Sequence, residues 1–312
     1  MKVKLFTHND LDGVGCGVLA EMAFKWDADI TYCGYNNINE EVKKYLDEGP
    51  INGEIHITDI SVNEEVAELL DKAKVPVKLF DHHKTALYLN KYEWAKVEEY
   101  MDGTNSMKTS GTQLYFDYLD NNGYFVGKKM RVYGFVEFVR NYDTWRWKEL
   151  GSTGMISKRL NDLLGLYGRG RFIHGIIDMI ENKGVVELGP CDEAVLEINQ
   201  KQIDDYIEQK NKQLFQINLY GRYGGVVYAD RYFSEMGNRL AELHPEYDFI
   251  AMIDVGGGMV SYRTVKDDID LGELAKKFGG GGHPKAAGSR FDTSMIAAIA
   301  HAVLEVKEKQ ND

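Results

Sequence analysis

Short apolar runs alternate with helix-like stretches through the first third of the chain. The runs are rich in β-favouring residues, whereas the stretches between them carry apolar residues at the spacing of a helix. Such a strand–helix series predicts a parallel sheet. The predicted strands are residues 2–6, 30–33, 54–57 and 77–80, and the predicted helices are residues 14–26, 38–48 and 63–73, with Asn37 and Asn63 as caps of the last two.

The pattern changes in the rest of the chain. Residues 110–182 are predicted to be mostly helical, with Gly165, Gly168 and Gly170 as breaks. Residues 191–214 are polar and contain neither Gly nor Pro, which predicts a long connecting helix. Beyond it, the predicted strands are residues 226–228, 247–253 and 259–263, and the predicted helices are residues 233–243 and 271–278.

These elements predict an α/β protein with two domains. The N-terminal domain, residues 1–185, would be a parallel-sheet α/β domain with a helical extension. A connecting helix and linker would occupy residues 186–220, followed by a smaller C-terminal α/β domain at residues 221–312. A length of 312 residues, with 44% hydrophobic residues, agrees with two domains.

The composition also indicates the compartment. No stretch reaches about 18 consecutive apolar residues, and the N-terminus lacks the apolar segment of a signal peptide, so no membrane partner is expected. Cys16, Cys33 and Cys191 show no pairing framework, which is typical of free thiols in a reducing compartment. The sequence therefore predicts a cytoplasmic protein.

Four clusters of acidic residues and histidines carry the candidate chemistry. Three follow predicted strands: residues 7–13, residues 57–59 and the triplet Asp81-His82-His83. The fourth contains Asp143 and follows an apolar stretch. Gathered carboxylates and imidazoles repel one another or lose hydration, and a bound cation offsets that cost. Metal binding is therefore the leading hypothesis.

Each cluster also has an ordinary structural explanation. Asp12 with Gly13 could form a turn and helix cap, Asp59 could cap the next helix, and Asp143 could end a helix. The triplet could be a solvated loop, although two adjacent histidines are notable in a chain with eight. Ligands of an open parallel sheet bind beyond the carboxyl ends of its strands, where these clusters fall. That shared position favours the metal hypothesis.

The donor types narrow the choice of metal. Carboxylates with one or two histidines and no thiolate suit Mn²⁺ or Mg²⁺ better than a structural zinc. Six candidates exceed what one ion with open positions would take, which implies a bridged pair of ions and hydrolysis of a phosphoryl or phosphodiester group. The six candidate ligands are His8, Asp10, Asp12, Asp59, His82 and Asp143.

A glycine-rich segment in the C-terminal domain is a candidate anion site. Successive glycines allow backbone N–H groups to approach an anion, although glycine runs are also common in flexible turns. A strand-borne arginine and two basic residues nearby favour phosphate or nucleotide binding. The candidate substrate-binding residues are Arg263, Gly280, Gly281, Gly282, His283 and Lys285. The net charge of −12 opposes coating of long nucleic acid, but it permits a small phosphorylated substrate.

These motifs together resemble the DHH phosphoesterase superfamily, named for the triplet that here is Asp81-His82-His83. Its first motif, His-x-Asp-x-Asp-Gly, matches residues 8–13, and the aspartates of its second and fourth motifs match Asp59 and Asp143. Residues 280–283, with Ala287-Gly288, are similar to the signature of the DHH-associated C-terminal domain. The resemblance spans nearly the whole chain.

The resemblance implies a function and a site. Two-domain members of this size are similar to bacterial oligoribonucleases, or nanoRNases, which degrade very short RNA to mononucleotides. Two Mn²⁺ ions are implied, with Mg²⁺ or Co²⁺ as alternatives. His8, Asp10 and Asp59 would bind one ion, and the other would be bound by Asp12, Asp59, His82 and Asp143.

The catalytic residues implied beside the metals are His83 and Asp81. His83 would face the scissile phosphate, and Asp81 would orient the metal-bound ring of His82. Arg263, His283 and the glycine segment would bind the downstream phosphate or sugar. Tyr142, Trp145 and Trp147 would either stack on a base or belong to the core.

Several alternatives stay open at this stage. The protein could hydrolyse cyclic nucleotides or linear dinucleotides, act as a phosphatase on 3′-phosphoadenosine phosphates, or bind nucleotides without turnover. A family II pyrophosphatase is disfavoured because its C-terminal basic motif is not apparent, and RecJ-like exonucleases are typically longer. The sequence leaves open the cleavage polarity and the oligomeric state, a homodimer included.

Overall fold

A computed structural model of the chain describes residues 2–49, 51, 53–73, 75–101 and 105–292, together with residues 294, 296, 298, 300–302 and 304. The chain divides into two compact units, Met1–Leu196 (unit 1) and Glu197–Asp312 (unit 2). No described helix combines the length and apolar character that crossing a membrane requires.

Unit 1 contains, within its described residues, a five-stranded parallel sheet, which confirms the predicted fold class. The strand order is β2-β1-β3-β4-β5, with all strands parallel. The chain places β2 on one side of β1 and then reverses its progression across the sheet to place β3 on the other side. A reversal of this kind opens a crevice beyond the carboxyl ends of the two central strands. The strands are β1 (Val3–His8), β2 (Ala28–Cys33), β3 (Glu54–Thr58), β4 (Val77–Asp81) and the unpredicted β5 (Ala95–Val97).

Helices cover both faces of this sheet. Adjacent strand residues point to opposite faces, so Leu5 joins one buried cluster and Phe6 the other. Burial on both faces explains the adjacent apolar residues of the central strands, such as Leu5 and Phe6 of β1. The helices are α1 (Leu11–Phe24), α2 (Ile38–Asp47), α3 (Glu64–Lys72), α4 (Gly111–Asn121), α5 (Lys129–Asp143), α6 (Met155–Tyr167), α7 (Arg169–Asp178) and α8 (Pro190–Asn211).

The two kinds of predicted helix boundary, the asparagine caps and the glycine breaks, are only partly correct. The Asn63 side chain caps α3 by accepting a hydrogen bond from Val66 N–H (3.0 Å), as predicted, whereas that of Asn37 accepts from Gly34 N–H (2.8 Å) in the preceding turn. Among the predicted glycine breaks, Gly168 separates α6 from α7 with a φ of +73°. Gly165 and Gly170 instead lie inside helices, because a helix interior tolerates glycine at a modest cost.

Unit 2 contains a mixed six-stranded sheet in the order β10-β11-β9-β8-β7-β6, in which β7 and β8 run parallel and the other neighbours antiparallel. The strands are β6 (Phe215–Leu219), β7 (Arg222–Tyr228), β8 (Phe249–Asp254), β9 (Met259–Arg263), β10 (Gly281–His283) and β11 (Ala286–Arg290). Helices α9 (Phe233–Leu243) and α10 (Leu271–Lys276) complete it, and α8 runs from unit 1 into unit 2.

The glycine-rich segment forms a β-hairpin of β10 and β11 that was not predicted from the sequence, and the anion-binding role of its glycines stays a prediction. Its glycines permit a close backbone approach: a Cβ at Gly280 would lie 2.1 Å from the carbonyl oxygen of Gly288. Gly282 has a φ of +145°, and a Cβ there would lie 2.5 Å from Cα of Ala287. The sequence prediction missed this pairing because glycine has little strand propensity of its own.

Candidate metal centre

The candidate ligands lie at the carboxyl edge of the unit 1 sheet. His8 ends β1, Asp59 follows β3, and His82 follows β4. These positions converge at the β1/β3 reversal, as the strand-end argument predicted. The structure brings together all six candidates in two groups whose ligand atoms lie within 4.8 Å of one another: His8, Asp10 and Asp59, and Asp12, His82 and Asp143.

Gly13 allows α1 to begin directly against the end of β1. Asp10 caps the helix by accepting a hydrogen bond from Gly13 N–H (3.0 Å), while Thr7 Oγ1 donates to the Gly13 carbonyl oxygen (3.0 Å). A Cβ at Gly13 would lie 2.1 Å from the carbonyl oxygen of His8. The capping role therefore belongs to Asp10, which leaves the carboxylate of Asp12 available for another contact.

The first turn of α4 fixes Asp12 and Asp59. Both carboxylate oxygens of Asp12 accept backbone hydrogen bonds, from Gly111 N–H (2.6 Å) and Thr112 N–H (2.8 Å). Asp59 has a φ of +56°, and a Cβ at Gly111 would lie 2.5 Å from its Cβ. Sequence analysis missed this support, although Ser110 before a glycine and a helical stretch is a cap signal.

The two oxygens of Asp59 face different groups. Its Oδ1 lies 3.2 Å from His82 Nε2, which is also 3.6 Å from Asp12 Oδ2 and 3.6 Å from Asp143 Oδ2. Its Oδ2 lies 3.8 Å from His8 Nδ1, which is 2.8 Å from Asp10 Oδ2. This is the geometry of a carboxylate able to bridge two ions.

The electrostatics of the cluster require positive charge. Burial and the nearby charges of Asp12 and Asp10 raise the pKa of Asp143 to about 8 and that of Asp59 well above its usual range. Burial lowers the pKa of His82 and so favours the neutral imidazole, the form that binds metals. The pKa of Asp10 is shifted the other way, to about 2, because the effect of burial is outweighed there by its contact with His8. Cations bound beside Asp59 and Asp143 would favour the carboxylate forms of those two residues.

The buried polar atoms of the candidate ligands indicate whether metal ions fit this site. His8 Nδ1, Asp59 Oδ2 and His82 Nε2 are buried, and their close contacts with the other candidate ligands lack hydrogen-bond geometry, so none has a hydrogen-bond partner among the residues that the structure describes. Buried polar atoms are almost always bonded, so three such atoms in one cluster are unusual. Each belongs to a group of nitrogen and oxygen donors without thiolate. The residues therefore fit two hard or intermediate divalent cations.

Asp81 contacts a different histidine ring from the one predicted. Its Oδ1 accepts a hydrogen bond from His83 Nδ1 (2.7 Å), whereas its hydrogen bond with His82 involves the backbone N–H (2.7 Å). Ser61 Oγ donates to the other oxygen. The expectation that Asp81 orients the ring of His82 is therefore wrong, because the backbone after β4 turns the side chain of His83, not His82, toward that carboxylate.

Two of the candidate substrate residues of unit 2, His283 and Arg263, lie in one cross-strand row. His283 pairs with Ala286, which pairs with Arg263, so the first and last share a face of the sheet. Arg263 donates to Ser234 Oγ (3.1 Å) and to the Tyr262 carbonyl oxygen (2.8 Å). The ammonium of Lys285 lies 2.7 Å from Asp267 Oδ1 in a solvent-exposed ion pair.

The aromatic residues on either side of Asp143 divide between base stacking and a place in the core. Tyr142 packs against the core of unit 1 and stacks on Trp147 with ring centroids 6.4 Å apart. Trp145 is 63% exposed and carries the ammonium of Lys148 over its ring at 4.4 Å. Only Trp145 of these three thus presents a largely exposed ring surface.

Comparisons with known proteins identify the family and agree with the fold. Residues 235–309 match the model of the DHHA1 domain. The oligoribonuclease NrnB of Bacillus subtilis (strain 168) is 40% identical over 291 residues, which cover 91% of this chain and 71% of that protein.

Two solved structures share the fold. The pGpG-specific phosphodiesterase PggH from Vibrio cholerae has a TM-score of 0.54 at 16% identity and covers 97% of this chain and 98% of its own. The exonuclease RecJ bound to manganese has a TM-score of 0.58 at 16% identity, covering 96% of this chain and 88% of its own. With the identity to NrnB over most of both proteins, the chain belongs to the DHH phosphoesterase superfamily, in the same family as that oligoribonuclease.

Proposed function

We propose that this protein is a two-metal phosphodiesterase that hydrolyses short oligoribonucleotides to mononucleotides. The observation that carries the proposal is Asp59, whose two oxygens face two separate groups of metal-ligand type. The name of its relative, an oligoribonuclease, supports the substrate class. The manganese in the RecJ structure supports Mn²⁺ as the metal, with Mg²⁺ or Co²⁺ as alternatives. We place the protein in the cytoplasm.

In this proposal, His8, Asp10 and Asp59 bind one cation, and Asp12, Asp59, His82 and Asp143 bind the other. When bound, two divalent cations stabilise charge on the phosphoryl oxygens and lower the pKa of water. Asp81 fixes the ring of His83 through its Nδ1 and leaves Nε2 for the scissile phosphate. The same hydrogen bond raises the pKa of His83, which favours the form that donates from both nitrogens.

The substrate-length preference tests this function. With Mn²⁺ present, we expect turnover of RNAs of two to twenty nucleotides to fall steeply beyond about five, because each further phosphate meets a net negative protein. Product chromatography would measure it, with pGpG, 3′,5′-bisphosphoadenosine and pyrophosphate as competing substrates and excess chelator as the control. Undiminished cleavage of the twenty-nucleotide RNA, or a clear preference for either of the last two compounds, would contradict the proposal.

Arg263 and His283 are proposed to bind the downstream phosphate. We expect Arg263→Ala and His283→Ala to raise KM for a dinucleotide about tenfold, the value of a lost charge-assisted hydrogen bond. Hydrolysis of bis(p-nitrophenyl) phosphate, which has no downstream nucleotide, should change much less. Lys276→Ala is the matched control, because it removes an exposed lysine of α10 that is not among the candidate substrate residues. Equal losses on both substrates would show that the two residues maintain the fold instead.

A further inference from the structure

Tyr35 lies beside the metal centre on a well-defined turn between β2 and α2. Asn37 Oδ1 accepts a hydrogen bond from Gly34 N–H (2.8 Å), and the Gly34 carbonyl oxygen accepts from the backbone N–H groups of Asn37 and Ile38 (both 3.1 Å). These bonds close the turn around Tyr35. The backbone at Tyr35 is therefore held beside the carboxyl edge of the sheet, a position that was not predicted from the sequence.

The phenol of Tyr35 points toward the reacting end of His83. Its oxygen lies 3.2 Å from His83 Nε2, the nitrogen that Asp81 does not occupy. The Tyr35 ring also packs on the ring of His8 with centroids 5.0 Å apart. With 62% of its surface exposed, Tyr35 is nevertheless accessible to a substrate.

We propose that Tyr35 is a catalytic residue that donates its phenolic hydrogen bond to a non-bridging oxygen of the scissile phosphate. This inference rests on the proposed function and names one more residue that contacts its substrate. Two groups 3.2 Å apart can both lie at hydrogen-bond distance, about 2.8 Å, from a single oxygen placed between them. Without substrate, the phenol and His83 Nε2 contact each other.

The chemistry of the phenol agrees with this role. A tyrosine phenol ordinarily has a pKa of about 10, so its oxygen keeps its proton at neutral pH and can donate a hydrogen bond. A donor aimed at an oxygen whose negative charge grows during the reaction stabilises the transition state more than the ground state. The loss of such a donor should therefore lower kcat more than it raises KM.

Tyr35→Phe tests the proposal because it removes the hydroxyl and keeps the ring. With ApA and Mn²⁺, we expect kcat to fall about 100-fold, the usual effect of losing one oxyanion donor. The affinity of the metal-free protein for Mn²⁺, measured by titration calorimetry, should stay unchanged. Tyr88→Phe is the matched control: it is another exposed tyrosine of unit 1, but its hydroxyl donates to the backbone carbonyl of Val62 (2.7 Å).

The two phosphorothioate diastereomers of ApA locate the contact. Sulfur accepts hydrogen bonds weakly, so the Tyr35→Phe effect should nearly vanish on the diastereomer in which sulfur replaces the contacted oxygen and persist on the other. An equal effect of Tyr35→Phe on both diastereomers would mean that Tyr35 only orients His83. An unchanged kcat on ApA would mean that the hydroxyl does not contribute and that only the ring of Tyr35 matters. Either result would overturn the proposal. Failure of the wild-type protein to cleave ApA would refute the proposed function itself, and this inference with it.

Discussion

Asp59→Asn should abolish phosphodiesterase activity, with kcat falling by about 10³-fold or more. The two oxygens of Asp59 face the two ligand groups, and an amide offers only one oxygen and no charge. Losing several kcal/mol of the transition-state stabilisation that the cations supply would lower kcat by at least about 10³-fold. Initial rates on a dinucleotide, with Mn²⁺ varied to saturation, would measure it. Full activity of the variant at any Mn²⁺ concentration would contradict the bridging role.

The same substitution should stabilise the metal-free protein. Asp59 is buried beside Asp10 and Asp12, and its folded-state pKa is raised, so folding costs more free energy as the pH rises from about 4 toward that pKa. Asparagine removes this cost and tolerates the φ of +56°. In chelator at pH 8, we expect the free energy of unfolding to rise by about 1–2 kcal/mol.

Thermal denaturation with and without Mn²⁺ would separate the two effects of Asp59→Asn. Mn²⁺ should raise the Tm of the wild-type protein, since a ligand bound to the native state stabilises it, and should raise that of the variant much less. Asp205→Asn, which changes an exposed carboxylate on α8, is the control and should alter neither measurement. A metal-free variant less stable than the wild type would argue against repulsion within the cluster.

Gly13→Ala should disrupt the fold and the metal centre together. The added Cβ would lie 2.1 Å from the carbonyl oxygen of His8, so α1 would have to move away from β1. That movement would displace His8, Asp10 and Asp12 at once. We expect a loss of about 3 kcal/mol in the free energy of unfolding, at the upper end for overpacking, together with weakened Mn²⁺ binding.

Gly165→Ala is the control for this prediction. Gly165 lies inside α6, and no atom of the described residues lies within 4 Å of a Cβ built there, apart from its own helix and neighbours. Alanine should stabilise the helix by about 0.5–1 kcal/mol and leave Mn²⁺ affinity unchanged. Chemical denaturation and titration calorimetry would compare the two variants. Normal stability and Mn²⁺ affinity in Gly13→Ala would show that the backbone relaxes there without cost.

The sequence alone was sufficient for the fold class and for the choice of candidate ligands. The alternation of apolar strands and helical stretches in unit 1 is a local pattern, because a strand buried on both faces needs apolar side chains throughout. The candidate ligands follow from a second local rule. Residues after parallel strands meet at one edge of the sheet, so Asp59 and His82 could be placed together without coordinates.

The glycine-rich segment shows where local patterns stop being informative. Its glycines were compatible with an anion-binding backbone or with a flexible turn, and a strand was not predicted; Gly281 and Gly282 nevertheless lie in β10 because β11 supplies the hydrogen bonds. A strand with little propensity of its own exists only through its partner. The face shared by His283 and Arg263 depends on the same pairing register, which local sequence does not specify.

Tertiary structure alone decided which groups surround the ligands. Asp12 is held by backbone N–H groups 99 and 100 residues further along the chain, and Tyr35 meets a histidine 48 residues away. Backbone donors carry no residue signature, and an exposed tyrosine has many ordinary explanations. The contact of Asp81 with the ring of His83, two residues away, depends instead on the conformation of the turn after β4. Local sequence thus determined which donors reach the sheet edge, whereas contacts between distant segments determined how each donor is oriented.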